Sequence, residues 1–298
     1  MIALKNCRAV TISDGIIDNA VILIEDGIIK AVGQDIEIPL DAGIIDLDGM
    51  WVTPGLIDAH SHLAMGEPGT RGSGDDDNEA TAPVTAHVRM IDSLDHESIG
   101  IPAARSAGFT ACCTLPGSAN VIGGTGIAVK LKDGQSIDDI VIPGTEVMKM
   151  ALGENPKGAY GSRKVMPMTR MGTGAVLREA LFNARQYAED KARAEREGKP
   201  FKRDFKLEPL VPVIEGKMRC RIHCHRADDI LTAIRISEEF GLDYAVEHVT
   251  EGFKIADILA EKNVKCIVGP LRMIPSKMEV WNCTIENPGL LEKAGCEI

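Results

Sequence analysis

The residues Val52-Thr53-Pro54-Gly55-Leu56-Ile57-Asp58-Ala59-His60-Ser61-His62 constrain this chain more than any other stretch. An apolar run, Leu56-Ile57, leads straight into two histidines spaced one apart. In a β-strand, residues i and i+2 face the same side, so both imidazoles project together from the end of one buried strand. Two neutral nitrogens side by side suit a metal ion whose remaining ligands come from elsewhere. The pattern recurs. Arg221-Ile222-His223-Cys224-His225-Arg226 repeats the same-face geometry, and Tyr244-Ala245-Val246-Glu247-His248 is an apolar run that delivers one imidazole. Five of the seven histidines thus fall at or near the carboxyl ends of expected strands. In parallel α/β folds that is the end where ligands bind.

The arrangement of elements agrees with such a fold. Residues 1–53 read as β-rich, with Asp-Gly pairs at Asp14-Gly15, Asp26-Gly27 and Asp48-Gly49 that mark tight turns between apolar runs. From Pro54 onward the reading is α/β, with strands at 56–59, 109–115, 147–152, 220–224, 244–247 and 264–268. Helical stretches at 228–240 and 253–261 lie between them and imply a parallel sheet, open or closed. The clearest helix is 177–197, where Leu177, Ala180, Leu181, Ala184 and Ala188 form one apolar stripe that Gly198 and Pro200 terminate. Its outer face mixes five positive and five negative side chains, the pattern of a solvated surface. Residues 155–174, rich in Gly, Met and Arg, read as a long loop that covers a pocket.

Acidic and basic residues are unbalanced, 44 against 33, for a net charge of −11. That disfavours nucleic acid and anionic membranes as partners, since both reward a basic surface. The first residues lack the basic start and apolar core of a signal peptide, and no run approaches the ~20 apolar residues that span a bilayer. None of the eight scattered cysteines sits in a Cys-x-x-Cys pair, so reduced thiols are expected. The expectation is a soluble, cytoplasmic protein that acts on a small molecule, with homo-oligomerisation left open.

Pro54 through His62, the later histidine on a fifth strand and Val246-Glu247-His248 on a sixth together resemble the amidohydrolase superfamily. The nearer similarity is to its branch of imidazolonepropionases and metal-dependent dipeptidases. The resemblance implies a (β/α)8 TIM-type barrel over 54–298, cut off at the start of strand eight. Residues 1–53 become the leading part of a small β-sandwich domain. His60 and His62 match the first-strand metal ligands, His223 the fifth-strand ligand and His248 the sixth. His225 faces the same way as His223, and either replaces it or contacts substrate; the preference goes to His223. Such enzymes take a fourth-strand ligand from a carboxylated lysine, a glutamate or neither. Here Lys149 lies inside the strand and Glu154 at its end, with Glu154 preferred. Arg226 and Tyr160 are further candidate substrate contacts, with Arg163 and Arg170 behind them.

The implied cofactor is zinc, as one or two divalent ions, with other transition metals open. The implied chemistry is metal-assisted hydrolysis of a C–N bond in a cyclic amide, an acylated amine or a dipeptide. The ion lowers the pKa of a bound water and polarises the carbonyl. A carboxylate base then moves the proton to the leaving nitrogen. In this superfamily that base is an aspartate on strand eight. With a helix at 288–293 and strand eight expected to start at 294–298, the aspartate falls beyond Ile298, and no catalytic residue is assigned. The sequence therefore reads as the leading part of a longer chain or a truncated gene product. Two alternatives remain: a deaminase built on the same metal site, and a catalytically inactive metal-binding fragment.

Overall fold

Asp26 and Gly27 both adopt positive φ, 52° and 74°, the signature of a primed two-residue hairpin turn. The turn joins β2 (Ile16–Glu25) to β3 (Ile28–Gly33), after β1 (Ile2–Val10). The computed structural model describes residues 1–67, 69 and 74–298. A first unit, Met1–Leu56, adds β4 (Gly43–Asp46) and β5 (Trp51–Val52). Its sheet runs β3-β2-β1-β4, with β5 also paired to β1. The apolar run 20–24 buries both faces of β2: Ala20 and Ile22 pack with Cys7 and Ala9, and Val21 and Leu23 pack with Ala3. This follows from the two-residue period of a strand.

The second unit, Ile57–Ile298, holds all but the first residue of β6 (Leu56–Ser61), then β7 (Phe109–Thr114), β8 (Ile122–Lys130), β9 (Val147–Ala151), β10 (Cys220–Cys224), β11 (Tyr244–His248) and β12 (Lys265–Val268). Its helices are α1 (Gly100–Ser106), α2 (Glu154–Gly161), α3 (Arg170–Arg196), α4 (Val211–Ile214), α5 (Ala227–Phe240), α6 (Ala256–Glu261) and α7 (Asn287–Lys293). The strands form one seven-stranded sheet in the order β12-β11-β10-β9-β8-β7-β6. Laid flat, β6 and β11 would stand about 24 Å apart, five spacings of ~4.8 Å. Yet the imidazoles of His60 on β6 and His248 on β11 have centroids 4.6 Å apart. The sheet is therefore curled into an incomplete barrel. The amide of Cys266 on β12 donates to the Glu297 carbonyl (2.9 Å), so the final residues run beside that strand.

Two expectations are corrected. The sheet is not wholly parallel, because β8 pairs antiparallel with both β7 and β9. Its glycines hid it from a propensity-based reading, and the fold requires them: a Cβ on Gly126 would lie 2.7 Å from the Thr114 carbonyl oxygen. Nor is 155–174 a loop. It holds α2 and the first turn of α3, which starts at Arg170 with the Thr169 hydroxyl accepting from the Gly172 amide (3.0 Å).

Strand alternation divides the barrel into an apolar outside and a charged inside. Met148, Met150, Cys220, Ile222, Cys224 and Val246 pack outward in one cluster with Leu177, Leu181 and Ala184 of α3 and Ile230 and Ile234 of α5. Each large apolar side chain buried there stabilises the fold by about 1.5–3 kcal/mol. The alternate residues Lys149, Arg221, His223 and Glu247 are buried on the other side. All eight cysteines are free, and among the described residues no helix is long and apolar enough to cross a membrane.

Outside this core, Glu208 ties α3 to the segment that follows it. It accepts from Tyr187 Oη (2.5 Å), Lys191 Nζ (2.6 Å) and Arg203 Nε (2.9 Å). The Arg203 bonds, then those of Lys191 and Tyr187, hold its carboxyl down at about 2 against the opposing push of burial. A carboxyl depressed in the folded state contributes stability that is present above its unfolded pKa of ~4.3 and is lost as pH falls towards 2. Glu208→Gln is thus expected to cost about 1 kcal/mol at pH 7. The deficit should shrink between pH 4.5 and 2 in urea titrations at stepped pH, and a pH-independent deficit would contradict the ion-pair origin.

Candidate metal centre

Strand registry brings the imidazoles to one level. On β10 and β11, His223 lies opposite Glu247 and Cys224 opposite His248. Alternation alone would send Glu247 and His248 to opposite faces. His248 instead adopts φ 71° and Val249 φ 48°, left-handed values that side chains rarely take. The distortion swings the His248 ring in beside the others, with centroids 4.5 Å from His223 and 4.7 Å from His225.

Two overlapping groups result. Nitrogens of His223, His225 and His248 lie within 4.8 Å of one another, and so do ligand atoms of His60, Glu247 and His248. His248 belongs to both. Its Nδ1 meets the Gly269 carbonyl oxygen at 2.8 Å, an acceptor, so Nδ1 carries the proton and Nε2 keeps its lone pair. His62 Nδ1 meets the Leu115 carbonyl oxygen at 2.7 Å with the same consequence. His225 Nδ1 pairs with Thr250 Oγ1 at 2.7 Å. Such outer partners fix ring orientation at metal sites.

Three of the rings are held in the neutral form. Burial, followed by the neighbouring imidazoles, drives the pKa values of His223 and His248 well below the usual range. Burial and then the Lys277 charge lower that of His225 to about 3. Buried His223 Nε2 has no hydrogen-bond partner. A buried acceptor costs free energy when unsatisfied. Its convergence with other neutral imidazoles is the donor set a transition-metal ion takes. The residues therefore fit a metal.

Beneath the rings lies a buried charge cluster. Glu247 Oε2 is 3.0 Å from His60 Nδ1 and contacts Lys149 Nζ, while Oε1 is 2.7 Å from an Arg221 guanidinium nitrogen. Burial pushes the Glu247 carboxyl up, but Lys149, His60 and Arg221 outweigh it and hold the group well below the carboxylate range. Burial also lowers Lys149, against the pull of Glu247. Arg221 reaches across the barrel to the Ala59 carbonyl (2.5 Å), the residue before His60.

No family model matches the chain. It is 41% identical to the amidohydrolase from Thermotoga maritima MSB8, superposes on that crystal structure with a TM-score of 0.95, and covers 77% of it with 99% of its own length. The chain belongs to the amidohydrolase superfamily. Amidohydrolase tasK of Hapsidospora irregularis is 32% identical over 262 residues, 80% of this chain. The chain spans only 27% of tasK, and 14% of a Geobacter sulfurreducens dihydroorotase that is 45% identical over 60 residues. A prolidase complexed with N-methylphosphonate-L-proline shares the fold, at 14% identity and a TM-score of 0.50.

Within this member of the superfamily, the expected ligands separate. His60, His223 and His248 enter the two groups, His225 joins them, and His62 and Glu154 belong to neither. His62 stands beside His60, with ring centroids 5.1 Å apart. The Glu154 carboxylate accepts from the Glu279 amide (2.9 Å), while the Glu154 amide donates to Glu279 Oε2 (2.8 Å). Lys149, the other fourth-strand candidate, lies against Glu247. Tyr160 is buried, with its hydroxyl donating to the Ala82 carbonyl (2.7 Å). Arg226 pairs with Asp228 (2.8 Å), Arg170 with Asp229 (2.9 Å), and Arg163 donates to the Ala80 carbonyl (2.5 Å).

Glu247 and Glu279 were missed by the sequence reading. For Glu247 a signal existed, because a charged residue inside an apolar strand run is rarely buried without a partner. Glu279 gave none. Its side chain is fully buried, with Oε1 3.7 Å from His223 Nε2 and 3.8 Å from His225 Nε2.

Proposed function

We propose that this amidohydrolase hydrolyses a C–N bond in a small molecule: a cyclic amide, an acylated amine or a dipeptide. The observation that carries the reading is the buried, unpartnered His223 Nε2 among converging neutral imidazoles. His60, His223, His225 and His248 would hold the metal, with zinc the expected ion. When bound, the ion supplies a Lewis acid and a more acidic water. The chain's own contribution is preorganisation. Glu247 sits at His60 Nδ1 and sets that ring, and Lys149 and Arg221 keep Glu247 ionised so that it can do so. Carbonyl acceptors fix the tautomers of His248 and His62. A reaction at this level needs little reorganisation of the protein, which is where much of an enzyme's advantage arises.

The test is reconstitution. Protein stripped by chelator and refilled with zinc should bind one or two ions per chain. It should regain hydrolysis of at least one class among N-acyl amino acids, dipeptides and cyclic ureides. A fully metal-loaded protein inert across all three classes would sink the reading.

A further inference from the structure

Among the described residues, three cations reach the imidazoles or the carboxylates among them, and they differ in access. Lys149 and Arg221 are buried and spent on Glu247, with side chains 1% and 8% exposed. Lys277, from the segment after β12, is 21% exposed. Its Nζ lies 2.6 Å from Glu279 Oε1, 3.0 Å from Asn155 Oδ1 and 3.4 Å from His225 Nε2. An ammonium has three donors, and the one towards His225 is only loosely used.

The ammonium is also held in place. The reciprocal bonds between Glu154 and Glu279 fasten the Lys277 segment to the start of α2. Asn155, the next residue, accepts from Lys277 and donates through Nδ2 to Ser118 Oγ (2.7 Å). Asn155, Ser118 and His62 line one cavity of about 380 Å3. A fixed, partly open ammonium therefore touches both the imidazole cluster, at His225, and Asn155, a residue of the cavity wall that His62 shares.

We propose that Lys277 is the specificity-determining residue that binds a carboxylate on the substrate, which makes the substrate an N-acyl amino acid or a dipeptide. The inference rests on the C–N hydrolase reading above and narrows its substrate class. A charge-assisted hydrogen bond to carboxylate suits a single ammonium. Glu279 already offsets part of the positive charge, so the site matches a monoanion and not a phosphate dianion, which calls for several cations. The expected candidates Arg226, Arg170 and Arg163 pair with Asp228, Asp229 and the Ala80 carbonyl; Lys277 is paired as well, with Glu279, but it also turns a donor towards the imidazole cluster at His225.

The test uses zinc-loaded protein and two probes. One is the ketomethylene analogue of N-acetylglycine, which has no C–N bond to cleave. The other is the same compound with its carboxylate reduced to an alcohol. Calorimetry on the wild type should show the carboxylate bound more tightly by about ten- to hundredfold. Lys277→Met should erase that preference and leave the alcohol's affinity unchanged, while Lys277→Arg should retain most of it. Equal binding of both probes by the wild type overturns the proposal, as does a preference that survives Lys277→Met. Equal loss of both probes in Lys277→Met also overturns it, since that marks a structural role. A preserved preference without turnover of N-acyl amino acids defeats only the hydrolase reading. Turnover without the preference defeats only this one.

Discussion

Glu247→Ala is expected to destabilise the metal-free protein by about 3–5 kcal/mol, the usual cost of breaking a buried ion pair from one side. The carboxylate is fully covered and stands between Lys149, Arg221 and His60. Its removal leaves an ammonium with 1% exposure and a guanidinium with 8% exposure without their counter-charge, in a place water does not reach. Lys149, already lowered by burial, then loses the interaction that keeps it charged. Glu247→Gln, which keeps the shape and loses the charge, should fall between wild type and Ala. Adding Lys149→Met to Glu247→Ala should recover part of the loss, because the orphaned charge goes too. Urea unfolding of the four proteins decides the matter. A cost below about 1 kcal/mol for Glu247→Ala would mean that the cluster is hydrated and not a buried network.

This cluster shows where sequence reading stops. Strand ends that deliver imidazoles were legible, because two-residue alternation and an apolar run place His60 and His223 without tertiary knowledge; the apolar run also located His248 at its strand end, but only the backbone distortion there turns its ring inward. The Asp26-Gly27 hairpin was legible for a similar local reason, since few dipeptides accept two positive φ values. Lys149, Arg221 and Glu247 share the alternation of their apolar neighbours, but only barrel curvature makes their face an interior. A rule that sends charged strand residues to solvent has no access to that curvature. β8 failed for the opposite reason. Its glycines lower strand propensity, and the need for them comes from Thr114 and Val88 pressing against Gly126 and Gly124. Glu279 is the extreme case, since it clasps a residue 125 positions away and lies in no periodic segment.

His248→Ala is expected to lower zinc affinity by more than about a hundredfold, beyond what loss of an outer-shell partner costs, and to lower any hydrolysis with it. His248 is the residue that the two ligand groups share, so its loss depletes both at once. The fold already tolerates strain at this position. A left-handed φ of 71° costs a residue with a Cβ about 1–2 kcal/mol relative to normal backbone. Alanine inherits the same strain, so Ala should lose little stability beyond the ring contacts and the bond to Gly269. Glycine escapes it. His248→Gly should therefore be more stable than His248→Ala by about 1 kcal/mol without metal, and equally poor at binding zinc. Metal analysis and thermal unfolding of the metal-free proteins separate the two effects. A His248→Ala protein that keeps its zinc would remove His248 from the centre and leave the backbone distortion without a function. If Gly and Ala are equally stable, the strain is absent in solution. Strained backbone persists where surrounding structure holds it and where the displaced side chain has a task. At His248 that task is to turn an imidazole inward against the alternation of its own strand.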